Sequence, residues 1–215
     1  MEVTDYLKDP EIFDFISKSS PEHLWEKYYL LKPGDTFVEA GAFWCRYGMK
    51  SSFKVGPTGR VILIEPNPCN IPVIKAVINR MNLENVILIE MAVWDKKDEL
   101  DFVVNGGASK IEGCNELEGS KITCGTAKVQ ADTLDNILSS LNIDKVDLLS
   151  CDVEGAEVQL VKGTHKYFNE KRILNVALGA YHMPVSISKI IMKHIESMDF
   201  KNVKYEDGVV YGSNH

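Results

Sequence analysis

Several features that mark specialised protein classes are missing from this 215-residue sequence. No apolar run approaches the roughly 20 residues that a transmembrane helix needs, so we expect no membrane span. The five cysteines are scattered and form no C-x-x-C pair, which argues against a zinc site, and we expect no metal. The amino terminus, Met1 to Tyr6, is acidic and lacks the layout of a secretory signal, so we expect a cytoplasmic protein.

The sequence also has no excess of positive charge. Lysine and arginine number 24 against 31 aspartates and glutamates, which gives a formal net charge of −7. Because basic side chains supply most of the affinity for a phosphate backbone, this balance argues against a nucleic-acid partner. A small-molecule substrate is therefore the favoured interpretation.

Apolar segments of strand length alternate with helical segments along most of the chain. The predicted strands are residues 36–40, 60–65, 85–90, 146–151 and 173–178, followed by a hairpin of 202–205 with 209–211. The unbroken apolar run from Val61 to Ile64 is typical of a strand buried on both faces. We predict an α/β fold: a doubly wound, mostly parallel seven-stranded sheet with helices on both faces and a terminal antiparallel hairpin.

The chain divides into a short segment and one larger domain. A good N-cap and a proline at residues 20–21 precede apolar positions at helical spacing as far as Leu31. We therefore predict that residues 1–33 form a helical segment packed on the domain. Residues 34–215 are predicted to be the ligand-binding domain, since that length suits a single core.

The regular alternation is interrupted between residues 95 and 130. Here we predict a strand at 99–104, a loop at 105–120, and a hairpin of 121–124 with 128–131. A long interruption of this kind in a compact domain is typical of a functional excursion or a lid.

In such a sheet a ligand binds outside the carboxyl ends of the strands. The first predicted strand ends in Glu39, and the glycine at Gly41 lets the backbone approach a ligand closely. The second strand ends in Glu65, which follows Glu39 by 26 residues, near the spacing of a carboxylate that binds a ribose diol. Each feature also has a structural interpretation: a tight turn at Gly41 and a solvated acid at Glu65. The G-x-G-x-x-G fingerprint of a dinucleotide binder is absent.

Later strand ends offer further candidates. Met91 and Ala92 suit the faces of a planar base, although both are equally interpretable as core residues. Asp152, Glu154 and Glu157 fall within six residues at one strand-to-helix junction. The amino terminus of the helix accounts for one of these acids, and a cationic ligand accounts for the surplus.

Taken together, the strand ends resemble the FkbM-type family of S-adenosylmethionine-dependent methyltransferases, from about residue 34 to residue 163 and more loosely to the end. The matching motifs are Glu39-x-Gly41-Ala42, Gly59-Arg60-Val61, Glu65-Pro66-Asn67-Pro68, Thr133-Leu134-Asp135, Asp152-x-Glu154-Gly155-x-Glu157, Lys162-Gly163 and Tyr181-His182. The chain departs from the family pattern at three positions. Phe43 and Cys45 stand where the family has asparagine and a second glycine, and Ser150 stands where lysine is common.

The resemblance implies a class I, Rossmann-like methyltransferase fold with S-adenosylmethionine as cofactor. It implies that Glu39 and Gly41 frame the methionine end of the cofactor and that Glu65 binds the ribose hydroxyls. Asp152 is expected to face the reacting centre. The cofactor-binding set that follows is Glu39, Gly41, Ala42, Phe43, Glu65, Pro66, Asn67, Met91, Ala92, Asp152 and Glu154.

The expected activity is methylation of a hydroxyl on a small-molecule or sugar-like acceptor. The catalytic candidates are Asp152 and His182. Asp152 is a candidate because it is expected to face the reacting centre, and His182 because a histidine beyond the fifth strand has a pKa suited to proton transfer. The alternatives are a non-catalytic protein that binds the cofactor on the same fold and, less favoured, a nicotinamide-dependent oxidoreductase. A nucleic-acid methyltransferase is disfavoured by charge. The terminal hairpin offers an edge strand through which a homodimer can form.

Overall fold

A computed structural model describes residues 22–105, 109–112, 125–181 and 184–214. The described part of the predicted amino-terminal helix is short, Glu22–Trp25 (α1). It ends well before Leu31, because the Glu26 carboxylate accepts a hydrogen bond from the Leu31 backbone N–H at 2.8 Å and the chain turns there. The rest of that predicted helix lies outside the described residues.

The described residues form eleven strands in two sheets. In chain order they are Thr36–Ala40 (β1), Arg60–Ile64 (β2), Val86–Ile89 (β3), Ala92–Val93 (β4), Asp98–Val104 (β5), Lys110–Ile111 (β6), Gly125–Asp132 (β7), Leu148–Cys151 (β8), Asn175–Gly179 (β9), Lys201–Glu206 (β10) and Val209–Ser213 (β11). Seven strands make the main sheet, in the order β10-β11-β9-β8-β1-β2-β3.

The main sheet is mostly parallel. β3, β2, β1, β8 and β9 run in one direction, while β11 is antiparallel to both β9 and β10. The turn between β10 and β11 is Asp207-Gly208, with φ of 50° and 79°, as the right-handed twist of a hairpin favours. The predicted doubly wound seven-stranded fold, including its terminal hairpin, is confirmed.

Helices cover both faces of this sheet. Six more helices follow α1: Arg46–Val55 (α2), Ile71–Met81 (α3), Leu134–Ser140 (α4), Glu157–Lys162 (α5), His165–Asn169 (α6) and Val185–Ser197 (α7). α1 to α3 pack on the face that carries Phe37 and Leu63, and α4 to α7 on the face that carries Val38 and Ile62. Burial on both faces explains the unbroken apolar runs. Within the described ranges, no helix has the length and hydropathy needed to cross a bilayer.

The strand order reverses at β1, which lies between β2 and β8. Ala40, the last residue of β1, pairs with Ile64 on one side and with Cys151 on the other. The connections beyond these three strand ends diverge to opposite sides, which opens a crevice at their carboxyl ends.

The interrupted region forms a second sheet, in the order β4-β7-β5-β6. β5 and β7 pair antiparallel from Asp98↔Ala131 to Val104↔Gly125. The predicted hairpin of 121–124 with 128–131 is therefore wrong, because residues 125–127, which would have formed its turn, belong to β7. Most of the predicted loop that precedes β7 lies outside the described residues.

The Thr-Leu-Asp motif joins two helices. The Thr133 hydroxyl caps α4 by accepting a hydrogen bond from the Asn136 backbone N–H at 3.1 Å, as its sequence position predicts. The Asp135 carboxylate accepts the backbone N–H groups of Lys166 and Tyr167, at 2.7 and 3.0 Å, at the start of α6. The motif thus fixes α6 against α4.

Gly163, from the Lys162-Gly163 motif, directly follows the last residue of α5. Its φ is −82°, so it has no left-handed conformation that would require glycine. A Cβ atom there would lie 2.1 Å from the Trp94 carbonyl oxygen. The position needs glycine because the second sheet approaches the helix end closely.

Candidate active site

A cavity of about 350 Å³ opens at the carboxyl ends of β1, β2 and β8. Ten of the eleven predicted cofactor-binding residues line it: Glu39, Gly41, Ala42, Phe43, Glu65, Pro66, Met91, Ala92, Asp152 and Glu154. The eleventh, Asn67, is fully buried beside the cavity. The structure therefore brings the sequence candidates together.

The turn after β1 brings the backbones of two motifs into contact. Gly41 has a φ of 88°, and a Cβ atom there would lie 1.9 Å from the Asp152 carbonyl oxygen. Phe43 and Cys45 are also left-handed, with φ of 50° and 60°. For non-glycine residues this conformation costs roughly 1–2 kcal/mol each. The turn thus keeps the backbone shape that suits glycine although bulkier residues occupy two positions.

Glu65 connects this turn to the end of β2. Its Oε2 accepts the Phe43 backbone N–H at 2.8 Å, and its Oε1 accepts the Asn67 backbone N–H at 2.9 Å and the Asn70 amide at 3.3 Å. Burial raises the pKa of Glu65 to about 7, although these three donors favour the ionised form. The carboxylate faces the cavity with about one acceptor site still available, since a carboxylate accepts about four hydrogen bonds and Glu65 already accepts three.

Glu39 is the second buried acid of the cavity and is only 5% exposed. Its Oε2 has no hydrogen-bond partner among the described residues. Burial raises the pKa of Glu39 well above its usual range, and the Gly48 backbone amide and the Arg46 charge oppose this shift only in part. A buried acceptor of this kind is costly unless a ligand supplies a donor or a positive charge.

The three acids after β8 have different environments. Glu157 is fully buried and accepts the backbone N–H groups of Val153 and Gly155, both at 3.0 Å, so it caps the turn that starts α5. Asp152 and Glu154 line the cavity instead. The helix start thus accounts for one acid and leaves two facing the cavity.

Tyr181, just beyond β9, donates a hydrogen bond from its hydroxyl to Asp152 Oδ2. Partial burial raises the pKa of Tyr181 above its usual range, so the hydroxyl keeps its proton. The hairpin tip holds the tyrosine in place, since a Cβ atom at Gly208 would lie 2.6 Å from the Tyr181 Cβ. The other catalytic candidate, His182, lies outside the described residues.

The second sheet forms the wall opposite the main sheet. Phe102 and Ile111 are buried and line the cavity beside Ala92. The Asn67 amide donates to Ser109 Oγ at 3.0 Å and so joins the loop after β2 to the second sheet. Asn67 therefore shapes the cavity by fixing its wall.

The amino-terminal segment contributes Trp25, which is 3% exposed and lines the cavity beside Tyr47. Trp25 also borders a second cavity, of about 300 Å³, which includes Tyr211. The segment is fixed at the hairpin, where the Tyr211 hydroxyl donates to the Leu24 carbonyl oxygen at 3.0 Å and Lys27 forms an ion pair with Asp207 at 2.7 Å. One tryptophan thus separates the two cavities.

Sequence reasoning did not find several lining residues. Arg46 follows the motif turn at Gly41 to Cys45 directly, but no motif includes it. Trp25, Phe102 and Ser109 had no signal in the sequence, because their place in the cavity depends on contacts between distant parts of the chain. Across the part of the chain that the structure describes, no three His, Cys, Asp or Glu side chains are grouped closely enough to hold a metal ion.

A family model described as the methyltransferase FkbM domain matches residues 35–201. No curated protein matches the chain by sequence.

Solved structures share the fold at low sequence identity. A methyltransferase FkbM from Methylobacillus flagellatus KT superimposes with a TM-score of 0.64 at 15% identity, covering 95% of this chain and 50% of that one. Fibrillarin from Aeropyrum pernix, with natively bound S-adenosyl-L-methionine, gives a TM-score of 0.52 at 15% identity, covering 91% and 74%. The present chain thus spans about half the length of the first of these proteins.

Proposed function

The chain belongs to the FkbM methyltransferase family, and on that premise we propose that it transfers a methyl group from S-adenosylmethionine to a hydroxyl of a small-molecule or carbohydrate-like acceptor. The observation that carries the proposal is the charge of the cavity. Among the described lining residues are four carboxylic acids, Glu39, Glu65, Asp152 and Glu154. S-adenosylmethionine carries an ammonium and a sulfonium, so an acidic cavity of about 350 Å³ suits it.

Each part of the cofactor has a candidate partner. The Glu65 carboxylate lies at the end of β2, and its remaining acceptor site suits a hydroxyl of the ribose diol. Met91 and Ala92 form an apolar wall suited to adenine. Glu39 lies deeper, where its buried Oε2 suits the ammonium of the methionine end.

The chemistry requires little of the protein beyond orientation. The bound cofactor supplies an electrophilic methyl group on its sulfonium. The protein then has to hold the acceptor hydroxyl in line with that methyl, and such positioning contributes roughly 7–11 kcal/mol. We propose Asp152 or His182 as the base that removes the hydroxyl proton, which adds about 10²–10⁴-fold. The Tyr181 hydroxyl keeps the Asp152 carboxylate oriented.

The remaining assignments are proposals of the same kind. We assign residues 34–215 to the cofactor-binding domain and residues 1–33 to a segment packed on it. We propose a cytoplasmic protein. Because its net charge is −7, we also propose that it has no nucleic-acid partner. Among the described strands β10 is the outermost of the main sheet, and its outer edge offers a surface for a homodimer.

Calorimetric titration with S-adenosylhomocysteine tests the cofactor assignment. We expect saturable binding that Glu65→Gln weakens strongly and Glu90→Gln leaves unchanged, since Glu90 is an exposed acid paired with Lys75. Binding of NAD⁺ in preference to S-adenosylhomocysteine would support an oxidoreductase instead.

Transfer itself is tested by incubating the protein with methyl-labelled S-adenosylmethionine and a panel of hydroxylated small molecules and sugars. We expect label in an acceptor, reduced by Asp152→Asn without a matching loss of cofactor affinity. Tight cofactor binding with no transfer to any acceptor would favour the non-catalytic alternative.

A further inference from the structure

The cavity contains a single basic residue among its described lining residues, Arg46. We propose that the Arg46 guanidinium binds the carboxylate of the α-amino acid end of the cofactor and so makes the site selective for ligands that carry that carboxylate. This inference rests on the proposed function and assigns a residue that neither the sequence motifs nor the resemblance singles out.

The backbone places Arg46 in the lining of the cavity, near Glu39. It is the first residue of α2 and directly follows Cys45, whose left-handed φ of 60° turns the chain into the helix. From this position the guanidinium interacts electrostatically with Glu39. Glu65 is held separately, by backbone and amide donors.

The neighbouring acid completes a pair of opposite charges. Glu39 is 5% exposed, and its Oε2 has no hydrogen-bond partner among the described residues. An α-amino acid carries an ammonium and a carboxylate on one carbon atom. An acid and a guanidinium at the same end of a cavity are therefore complementary to that group, and the planar guanidinium can bind a carboxylate through two parallel hydrogen bonds.

The charge of the whole ligand agrees with this assignment. S-adenosylmethionine has two cationic groups and one anionic group, and the cavity offers several acids and one base. Without Arg46 the ligand carboxylate would lie among Glu39, Asp152 and Glu154, where like charges repel. The guanidinium prevents that repulsion.

Three ligands test the assignment by calorimetry: S-adenosylhomocysteine, its decarboxylated analogue, which keeps the ammonium, and 5′-methylthioadenosine, which lacks both charges. We expect the wild-type protein to bind S-adenosylhomocysteine about 10- to 100-fold more tightly than the decarboxylated analogue, the range that hydrogen bonds to charged groups provide. Arg46→Met should remove this preference and leave the affinity for 5′-methylthioadenosine unchanged.

Two further variants complete the design. Arg46→Lys keeps the charge but loses the planar fork, so part of the preference should return. Arg60→Met removes an exposed arginine at the opposite end of the sheet and should change nothing. Thermal unfolding shows whether each variant folds. If Arg46→Met does not fold, the part of the ligand preference that Arg46→Lys loses still tests the assignment.

The outcomes separate the two proposals. If Arg46→Met still prefers S-adenosylhomocysteine as strongly as the wild type, Arg46 does not bind the carboxylate. If Arg46→Met weakens the binding of all three ligands equally, Arg46 only shapes the cavity, and the inference is again wrong. If the wild type binds none of the three ligands, the proposed function fails and the inference fails with it.

Discussion

Lowering the pH from about 8 to about 6 is expected to weaken the binding of S-adenosylhomocysteine about tenfold. In the unliganded protein, burial raises the pKa of Glu65 to about 7. A ribose diol that donates hydrogen bonds to this carboxylate favours its ionised form and lowers the pKa again. The ionised fraction of Glu65 falls from about nine-tenths at the higher pH to about one-tenth at the lower, which corresponds to about 1.4 kcal/mol of binding free energy.

Calorimetry at several pH values in phosphate and Tris buffers measures both the affinity and the protons exchanged. Near pH 7 we expect Glu65 to release about half a proton for each ligand bound, because about half of the unliganded molecules carry that proton. Burial also raises the pKa of Glu39, so its contribution has the same sign.

Two variants assign the effect to Glu65. Glu65→Gln should bind weakly at every pH and lose the contribution of that group to the pH dependence. Glu90→Gln, which removes an exposed acid outside the cavity lining, should keep the wild-type pH dependence. An affinity that is constant over this pH range, or that increases as the pH falls, would refute the assignment of Glu65 to the ribose.

Three further substitutions test the local structure. Gly41→Ala should lower the free energy of unfolding by about 2–5 kcal/mol, from about 1–2 for the left-handed backbone and about 1–3 for the clash with the Asp152 carbonyl. Gly34→Ala, at a similar φ of 91° and with only the Thr58 hydroxyl oxygen in ordinary contact at 3.8 Å from the added Cβ, should lose only the conformational part in the same denaturant titration. Tyr181→Phe should keep the fold and lower the rate of methyl transfer without a matching loss of S-adenosylhomocysteine affinity, because the donor that orients the Asp152 carboxylate is gone. Asp135→Ala should cost about 1–2 kcal/mol of stability through the lost cap on α6, with unchanged S-adenosylhomocysteine affinity.

The parts of the fold that the sequence predicts are those governed by local patterns. The apolar runs of β1, β2 and β8 follow from burial on both sheet faces, and Asp207-Gly208 follows from hairpin geometry. The second sheet was not predicted, because pairing of β5 with β7 joins residues about 30 positions apart and neither strand encodes its partner. The predicted helix runs past its observed end at Trp25. The chain turns there because the Glu26 carboxylate accepts a hydrogen bond from the Leu31 backbone N–H, and the spacing of apolar residues does not indicate such a bond.

The same distinction applies to the candidate site: some of its residues follow from local sequence patterns, and others depend on contacts between distant parts of the chain. Strand ends such as Glu39, Glu65 and Asp152 are predictable because parallel strands bring their carboxyl ends to one edge. The sequence singles out Tyr181 only as part of the Tyr181-His182 motif, and Arg46 not at all, because the importance of both side chains depends on neighbours that the sequence does not show. Asn67 stays a predicted cofactor contact, and the structure adds a bond from its amide to Ser109 that the motif does not indicate.

The position of Trp25 has a practical consequence for protein production. It lies ahead of the stretch that the family model matches, residues 35–201, yet it lines the candidate active-site cavity. A fragment trimmed to begin at Gly34 would retain all the described strands of both sheets while opening the floor of that cavity to solvent and to the second cavity beyond. Such a fragment is expected to purify as a folded protein that binds its ligand less tightly. Weak ligand binding or low activity measured with it would reflect the missing Trp25 indole rather than the chemistry of the full chain.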